Sequence, residues 1–335
     1  MQNFSLKALH LLPPEMAHKV TLKMLSMGLG PVVRASKSDA IKTDLFGSLT
    51  TPIGLSAGMD KNAVALPAWK KMGFGFVEVG TVTFEPRDGN CGKRMWRLAK
   101  HNSLFNFMGL NNHGYQEVRK NILSYRMNTG PSSFKVGVSL MSLTADCDEL
   151  ETMTESLCTL VDYFTVNVAC PNVEHQKPFI EEATEQLQAV IDGAHGKPVL
   201  LKLPPMTDME ELRNIVSEML KLGVSGFVAT NTQAWKGHKD TLGLNLNRSW
   251  PVKGNDFVGG YSGPFLLPIT INMVKTIRDE AGEDTIIIGV GGIQSGADAK
   301  AVIDAGADAV QLLTGLVYKG PDLIPEIIDT LKQPS

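Results

Sequence analysis

The sequence lacks any long hydrophobic run. None of its apolar segments approaches the roughly 18 residues that a membrane-spanning helix needs. The start of the chain also lacks the charged region, the apolar core and the small-residue cleavage site of a signal peptide. We therefore expect neither a transmembrane helix nor a signal peptide.

Cysteine is scarce, and the charge is nearly balanced. The four cysteines form no C-x-x-C pair, and no histidine cluster has metal-ligand spacing. We therefore expect neither a disulfide framework nor a bound metal, and a reducing compartment is favoured. The formal net charge of -3 lacks the basic footprint of a nucleic-acid-binding protein.

From about residue 50 the chain repeats one theme eight times. A short, β-branched, apolar run ends in Gly, Asn, Lys or Thr, and a helical stretch follows. Continuous runs of Val, Ile and Leu are typical of parallel strands that are covered on both faces. The eight runs are TPIGLSAG, GFVEVGTVT, FKVGVSL, YFTVNVAC, PVLLKLPP, GFVATNT, TIIIGVGG and AVQLLTG.

Eight β-α units predict an α/β fold of the TIM (β/α)8 barrel type, with a doubly wound open sheet as the alternative. The barrel is favoured because polar residues recur at the carboxyl ends of the runs, where a barrel would bring them to one pocket. Asp208 and Ser295 are predicted to begin helices close to such strand ends. The polar residues are Lys61, Thr81, Asn167, Lys202, Asn231 and Thr314.

Two segments fall outside the repeat. Residues 1–35 predict an amino-terminal extension of two short, unusually apolar helices, which leaves residues 36–335 for the barrel domain. The extension fits either a helical cap packed on the barrel, which the composition favours, or a hydrophobic vestibule that touches a membrane surface. The segment from Gln233 to Gly263 is rich in Gly, Asn and Trp and predicts a long loop after the sixth strand.

Glycine-rich turns follow the seventh and eighth runs. Gly291 and Gly292 end one strand shortly before Ser295 opens a helix, and QLLTG ends the next. This region is the usual phosphate site of a TIM barrel, because glycines let backbone N–H groups approach phosphate oxygens. A plain tight turn is the alternative. Two such turns together favour a phosphate, which a sugar phosphate or FMN would supply.

Lys202 stands at the end of the fifth run. A buried lysine needs an anionic partner or a lowered pKa. Three roles stay open: a Schiff-base lysine, a cation that stabilises negative charge on a reduced flavin, and a member of a structural salt bridge.

Cys170 directly follows the fourth run, between Asn167 and Asn172. A cysteine at the active-site face acts as a nucleophile or base once its pKa is lowered, whereas most cysteines are inert core residues. No histidine has an obvious place as its partner, which argues against a Cys–His hydrolase and favours proton abstraction. Several asparagine amides facing one pocket would suit a planar, amide-rich ring.

Eight motifs stand in a fixed order along nearly the whole chain, and in that order and spacing they resemble those of the dihydroorotate dehydrogenases. These are FMN-dependent TIM-barrel enzymes of pyrimidine synthesis. The apolar first helices with PEMAH, and RMWRL after the second run, resemble the membrane-associated, quinone-using class. The eight motifs are GLSAGMDKN, MGFGFVEVGTVT, NFMGLNNHG, NVACPN, ATNT, GGYSG, IIGVGGIQSG and QLLTG.

The resemblance implies an FMN site, a substrate site and a quinone entrance. Cys170 takes the position of the catalytic base, and His18 and Arg97 line the quinone entrance. FMN is contacted by Ala57, Gly58, Lys61, Thr81, Ser139, Asn167, Lys202, Thr230, Gly263, Gly292, Leu313 and Thr314. The dihydropyrimidine is held by Lys61, Asn106, Met108, Gly109, Leu110, Asn167, Asn172, Asn231 and Thr232.

The implied activity is oxidation of (S)-dihydroorotate to orotate in de novo pyrimidine biosynthesis, with the electrons passed to a quinone. Cys170 would remove the C5 proton while hydride passes from C6 to FMN, and Lys202 would stabilise the reduced flavin. The amino-terminal helices would attach the protein peripherally to the cytoplasmic side of the inner or cell membrane.

Several residues depart from the quinone-using class. That class has serine at the position of Cys170, and the cysteine is the choice of the soluble, fumarate-using class. Leu110 and Leu313 stand where phenylalanine and tyrosine are usual, and Ser139 stands where an asparagine touches FMN. The stretch VEHQK follows Asn172 in place of a Pro-Gly turn.

These departures keep other functions open. A paralogous FMN-dependent oxidoreductase of the same fold, acting on a different cyclic amide or unsaturated substrate, is the first alternative. A flavin-free aldolase or isomerase that uses Lys202 is the second, and a non-catalytic scaffold at the membrane surface is the third.

Overall fold

The computed structural model describes residues 2–32, 46–130, 132–144, 146–170, 177–237 and 257–333. Within these ranges the chain forms twelve strands and eleven α-helices. The strands are β1 (Ile53–Leu55), β2 (Phe76–Val82), β3 (Met95–Leu98), β4 (Ser103–Asn106), β5 (Lys135–Leu140), β6 (Tyr163–Val166), β7 (Val199–Leu203), β8 (Gly226–Ala229), β9 (Gln233–Gly237), β10 (Phe257–Ser262), β11 (Ile286–Val290) and β12 (Ala309–Leu312). The helices are α1 (Gln2–Leu11), α2 (Pro14–Ser26), α3 (Leu66–Lys71), α4 (Gly114–Thr129), α5 (Cys147–Cys158), α6 (Phe179–Gly193), α7 (Met209–Leu222), α8 (Leu267–Ala281), α9 (Gly296–Asp304), α10 (Thr314–Lys319) and α11 (Leu323–Leu331).

Eight of the strands close into a parallel barrel. Their order is β1-β2-β5-β6-β7-β8-β11-β12, and β12 pairs with β1 through Val310 opposite Ile53. These strands coincide with the eight apolar runs of the sequence. The predicted TIM barrel is therefore confirmed, and the open doubly wound sheet is wrong.

The barrel interior changes from apolar to polar along the strands. Side chains on one face recur every second residue, so Tyr163, Thr165 and Asn167 follow one another up the inside of β6 and its loop. Phe46 stacks on Tyr163 with the ring centroids 4.1 Å apart and helps to close the amino-terminal end. The lowest layer holds Phe76, Tyr163, Leu200, Val228, Ile288 and Ala309. The next layer holds the buried polar residues Glu78, Thr165, Lys202 and Gln311.

The helices outside the barrel begin at side-chain caps. Oδ1 of Asp208 accepts hydrogen bonds of 3.0 Å from the backbone N–H groups of Glu210 and Glu211, at the start of α7. Oγ of Ser295 accepts one of 3.2 Å from the N–H of Asp298, at the start of α9. These caps satisfy amides that the first helical turn leaves open. The predicted helix starts are confirmed, and they fix where two of the site loops end.

A second sheet, of four antiparallel strands in the order β3-β4-β10-β9, lies at the carboxyl-terminal end of the barrel. The prediction of a continuous loop from Gln233 to Gly263 is wrong at both ends, which pair as β9 and β10. Glycine in this segment serves close packing, because a Cβ on Gly259 would lie 2.2 Å from the ring of Phe105. Residues 238–256 of the predicted loop lie outside the described residues.

The helices α1 and α2 pack at the same end of the barrel, which confirms the predicted pair of amino-terminal helices. Nη2 and Nε of Arg94 donate to the two carboxylate oxygens of Glu15, at 2.8 and 3.2 Å. The guanidinium of Arg97 donates to the carbonyls of Leu9 and Leu12. The predicted boundary at residue 35 lies outside the described residues. Exposed apolar side chains remain on this segment at Leu11, Met16, Val20, Met24, Met27, Leu29 and Val32.

Candidate active site

A cavity opens at the carboxyl-terminal ends of the barrel strands. Its cavity volume is about 90 Å³. Gly58 lies beside it, because a Cβ there would be 3.5 Å from Cδ1 of Leu313. The predicted site residues that line the cavity are Ala57, Lys202, Thr230, Asn231, Thr232, Gly292, Leu313 and Thr314.

A chain of hydrogen bonds joins four strands at the carboxyl-terminal end. Nδ2 of Asn231 donates to Oδ1 of Asn167 at 2.9 Å, and Nδ2 of Asn167 donates to Oγ1 of Thr81 at 2.7 Å. Oγ1 of Thr81 lies 3.2 Å from Oγ of Ser139. The backbone N–H of Thr232 donates to Oδ1 of Asn231 at 2.8 Å. Because each amide is oriented by its neighbours, the chain presents donors and acceptors in fixed positions.

Lys202 projects from β7 into the barrel interior, where its anionic partner is Glu78 of β2. Nζ of Lys202 lies 3.6 Å from Oε1 of Glu78, and the two side chains are 6% and 0% exposed. Oε2 of Glu78 accepts hydrogen bonds of 3.0 Å from Thr165 and from Gln311. Lys202 is thus both a member of a buried ion pair and part of the cavity wall.

Lys61 lies in the loop after β1. Its Nζ donates a hydrogen bond of 2.6 Å to Oδ1 of Asn111. Burial lowers the pKa of Lys61 to about 8, against the electrostatic effect of Cys170, which raises it. The loop is anchored by Asp60, whose carboxylate accepts from two backbone amides and from Nε1 of Trp69. A cation held in this way suits the binding of an anionic ligand below about pH 8.

Cys170 is buried in a small apolar cluster that is separate from the main core. Its neighbours there are Leu110 and Met141, with Leu143 packed at the edge. The thiol also lies within electrostatic range of Lys61. A nearby ammonium favours the thiolate form of a cysteine, which is the form that accepts a proton. The arrangement is therefore suited to proton abstraction.

The turn after β11 brings backbone close to backbone. Gly292 has a φ of 82°, and a Cβ on it would lie 2.3 Å from the backbone N of Leu267. A Cβ on Gly263 would lie 1.9 Å from Oγ of Ser103. Thr314 begins the short helix α10 on the other side of the cavity. Side chains larger than glycine are excluded here, which leaves backbone groups to face a ligand.

The end of β4 and the loop after it carry four more predicted residues. Nδ2 of Asn106 donates to a backbone carbonyl of β10 at 3.2 Å. The carbonyl of Met108 accepts from the N–H of Asn90, and a Cβ on Gly109 would lie 2.6 Å from the Asn90 side chain. Leu110 is buried with a φ of 57°, in the left-handed region, and contacts Cys170. Asn172 and residues 173–176 of the altered loop lie outside the described residues.

The chain was compared with known proteins. The family model described as "Dihydroorotate dehydrogenase" matches residues 41–334.

This chain belongs to the dihydroorotate dehydrogenase family.

It is similar to the dihydroorotate dehydrogenase (quinone) of Parvibaculum lavamentivorans, with 36% identity over 95% of this chain and 89% of that protein. It is also similar to the dihydroorotate dehydrogenase (quinone) of Burkholderia pseudomallei, with 33% identity over 95% and 94% of the two chains. The crystal structure of the Eimeria tenella enzyme in complex with ferulenol superposes with a TM-score of 0.82, at 27% identity over 95% and 90% of the two chains. Members of this family are generally flavin-dependent oxidoreductases.

In this family member the two residues predicted for a quinone entrance lie at the amino-terminal helices. Nε2 of His18 lies 2.6 Å from the carbonyl of Met59, two residues before Lys61. Burial lowers the pKa of His18 and favours its neutral form. Arg97 bonds to the carbonyls at the end of α1, and burial lowers its pKa as well.

The described residues contain neither a membrane-spanning helix nor a metal-binding cluster. Within the described ranges, no helix combines the length and apolarity needed to cross a bilayer. The same part of the chain holds no cluster of three or more His, Cys, Asp or Glu that could bind a metal ion.

Sequence reasoning missed four residues at this dihydroorotate dehydrogenase site. Glu78 could have been singled out from the sequence, because it is the one charged residue inside the apolar run GFVEVGTVT. Asn111 is one of several asparagines in its loop, and nothing in the sequence singles it out as the partner of Lys61. Arg94 and Glu15 are 79 residues apart in the sequence, and no local sequence pattern indicates a contact over such a separation.

Proposed function

We propose that the protein oxidises (S)-dihydroorotate to orotate with bound FMN and passes the electrons to a quinone, as a step of de novo pyrimidine biosynthesis. The observation that carries the proposal is a cavity with one lysine, Lys202, in its wall and a second lysine, Lys61, within electrostatic range of the thiol of Cys170 at the same end of the barrel. The names of the curated relatives support the choice of substrate and acceptor.

The cavity fits FMN. Close backbone approach at Gly292 and Gly263 leaves a cradle for a phosphate next to α10. Lys202, which lines the cavity, would supply a cation to the flavin. The residues that would hold the cofactor are Ala57, Gly58, Lys61, Thr81, Ser139, Asn167, Lys202, Thr230, Gly263, Gly292, Leu313 and Thr314.

The chemistry divides between the cofactor and the chain. FMN, when bound, accepts the hydride that leaves C6 of the substrate. Cys170 removes the proton from C5, so that the two losses leave a C5=C6 double bond. Lys61 neutralises the substrate carboxylate. Asn106, Met108, Gly109, Leu110, Asn167, Asn172, Asn231 and Thr232 would hold the ring so that the C5 proton faces the thiol.

The amino-terminal extension supplies the proposed quinone entrance and membrane contact. Its exposed apolar side chains, among them Leu11, Met16 and Met27, form a surface that a bilayer would cover. His18 and Arg97 would line the path between this surface and the loop that carries Lys61. This role is supported by the contact of His18 with the carbonyl of Met59 and of Arg97 with the carbonyl of Leu9. We therefore propose residues 1–35 as a hydrophobic extension of the barrel domain 36–335, with peripheral attachment on the cytoplasmic side of the membrane.

The proposal is tested by purifying the protein and measuring its absorbance, its FMN content and its turnover of dihydroorotate with ubiquinone or fumarate. The expected result is a yellow protein with FMN bound, and orotate formation that is supported by ubiquinone. A colourless protein that takes up no FMN would end the proposal and favour an aldolase or isomerase that uses Lys202. Turnover with fumarate alone would overturn the quinone assignment.

A second candidate is a paralogous oxidoreductase that acts on another cyclic amide. The observation that favours it is the packing of Leu110, which stands where phenylalanine is usual, against Cys170, because this gives the wall beside the base a different shape. A panel of cyclic amides with a dye acceptor separates the two functions. Flavin reduction by another substrate, without reduction by dihydroorotate, would establish the second.

A further inference from the structure

The middle layer of the barrel holds a buried carboxylate that the proposed reaction does not use. The side chain of Glu78 has no exposed surface, and its Oε1 lies 3.6 Å from Nζ of Lys202. Its other oxygen accepts hydrogen bonds from Thr165 and Gln311. Oε1 itself has no hydrogen-bond donor. Glu78 is therefore bound by neutral donors on one oxygen and faces the ammonium with the other.

Each charge of this pair depends on the other. The carboxylate paired with Lys202 is that of Glu78, 3.6 Å away. Glu78 also acts on Tyr163 in the barrel interior, where burial first and then Glu78 raise the pKa of the phenol well above its ordinary value, so the phenol stays neutral. Asp162 pairs with Arg126 at the amino-terminal end of the barrel. Glu78 is thus the counter-ion that the structure shows for Lys202.

A buried ammonium that has no counter-ion gives up its proton, because desolvation penalises the charged form. Lys202 lines the cavity that the proposed function assigns to FMN, and a cation there stabilises the negative charge of the reduced flavin. The geometry points to Glu78 as a positioning residue that keeps Lys202 charged at the cavity wall while the flavin is still oxidised. This inference rests on the proposed FMN-dependent function.

The inference changes the proton balance of flavin reduction. With Lys202 already charged, FMN takes up two electrons and one proton to give the anionic reduced flavin. If Lys202 is neutral beforehand, the same two electrons are accompanied by two protons, one to the flavin and one to the lysine. The slope of the midpoint potential against pH counts these protons. Removing the charge of Glu78 therefore doubles the slope.

The experiment is a redox titration of the holoenzyme against a reference dye between about pH 6 and 8, a range in which one titrating amine is counted as one proton. Wild type is compared with Glu78→Gln, which keeps the size and hydrogen-bonding capacity of the side chain. The expected slopes are one proton per two electrons for wild type and two for Glu78→Gln. Thr165→Val is the matched control, because it removes one hydrogen bond from the carboxylate without changing its charge, and its slope should equal that of wild type.

A slope of one proton per two electrons in Glu78→Gln would overturn the inference. Equal slopes in Glu78→Gln and Thr165→Val would do the same, because a purely structural role disturbs the network in both.

If Glu78→Gln loses FMN, a second measurement tests the inference on the apoprotein. Urea unfolding of the apoprotein is followed for wild type, for Glu78→Gln, for Lys202→Met and for the double variant that carries both substitutions. The inference requires that Glu78→Gln is much less destabilising when Lys202 is already methionine, because no ammonium is then left without its counter-ion. Additive effects would refute it. If wild type itself bound no FMN, the proposed function would fail, whereas a normal wild-type enzyme with an unchanged Glu78→Gln slope would reject only this inference.

Discussion

The ammonium of Lys61 donates a hydrogen bond of 2.6 Å to the side-chain oxygen of Asn111, and burial brings the pKa of Lys61 down to about 8. Asn111 is a neutral acceptor, so it holds the ammonium in place without cancelling its charge. The charge is present below about pH 8 and is lost as the pH rises through that value. The loop after β1 is therefore suited to bind an anion only below about pH 8, where Lys61 is charged.

We expect the dissociation constant of the product orotate to follow this titration. It should be nearly constant below about pH 7.5 and then rise by up to about tenfold per pH unit above pH 8. Quenching of flavin or protein fluorescence by orotate measures it. In Lys61→Met the binding should be weak at every pH and should lose this dependence. A wild-type constant that stays flat to about pH 9.5 would contradict the assignment.

Replacing Cys170 with alanine should slow flavin reduction by dihydroorotate by roughly 10²- to 10⁴-fold, the usual contribution of a general base. FMN binding should be unchanged, because the thiol lies in the cluster of Leu110 and Met141 and not among the cradle residues. Anaerobic stopped-flow absorbance measures the reductive step without any acceptor. Cys170→Ser serves as the conservative variant. Its rate of flavin reduction should lie between those of wild type and Cys170→Ala, and it should increase with pH. A full rate in Cys170→Ala would exclude Cys170 as the base.

Replacing Gly292 with alanine should release FMN. The new Cβ would lie 2.3 Å from the backbone N of Leu267, so the cradle must shift. Gly282→Ala is the matched control, because Gly282 has a similar φ of 75° and open space around it. Both variants place an alanine at a positive φ, which costs about 1–3 kcal/mol, but only Gly292→Ala should lower the ratio of FMN to protein. Equal FMN loss in the two would show that backbone strain alone is responsible.

Replacing Arg97 with alanine should raise the KM for quinone and leave dihydroorotate oxidation with a soluble dye nearly unchanged. The substitution leaves the carbonyls of Leu9 and Leu12 without their donor and loosens α1, at a cost of about 1–3 kcal/mol. Arg119→Ala is the control, because Arg119 also donates to a backbone carbonyl but lies on α4. Parallel losses with quinone and dye would place Arg97 in the structural support of the barrel.

The barrel could be predicted from the sequence because its signals are local. Each strand is a continuous apolar run, and Asp208 and Ser295 mark helix starts by themselves. The positions of Lys202 and Cys170 relative to strand ends follow from the same runs. The roles implied for individual site residues remain predictions, whereas their convergence at one end of the barrel follows directly from the parallel topology.

The partners of the site residues could not be predicted in the same way. Lys202 needs an anion, but which one depends on the stagger of the barrel, which brings Glu78 from a strand more than 120 residues earlier to its side. The strands β9 and β10 were missed because Gly259 serves packing against Phe105, a residue that is remote in sequence. Contacts of this kind are set by closure of the barrel and leave no periodic trace in the chain.

The sheet β3-β4-β10-β9 has a consequence for the order of folding. Its central pair joins segments far apart in the chain, and the bond from Asn106 to the carbonyl of Gly260 spans 154 residues. Closing so long a loop is entropically unfavourable until intervening structure has shortened it, and such pairings form slowly. The intervening barrel strands provide that shortening. Asn106 consequently reaches Gly260 only after the barrel strands that lie between them in the chain have paired.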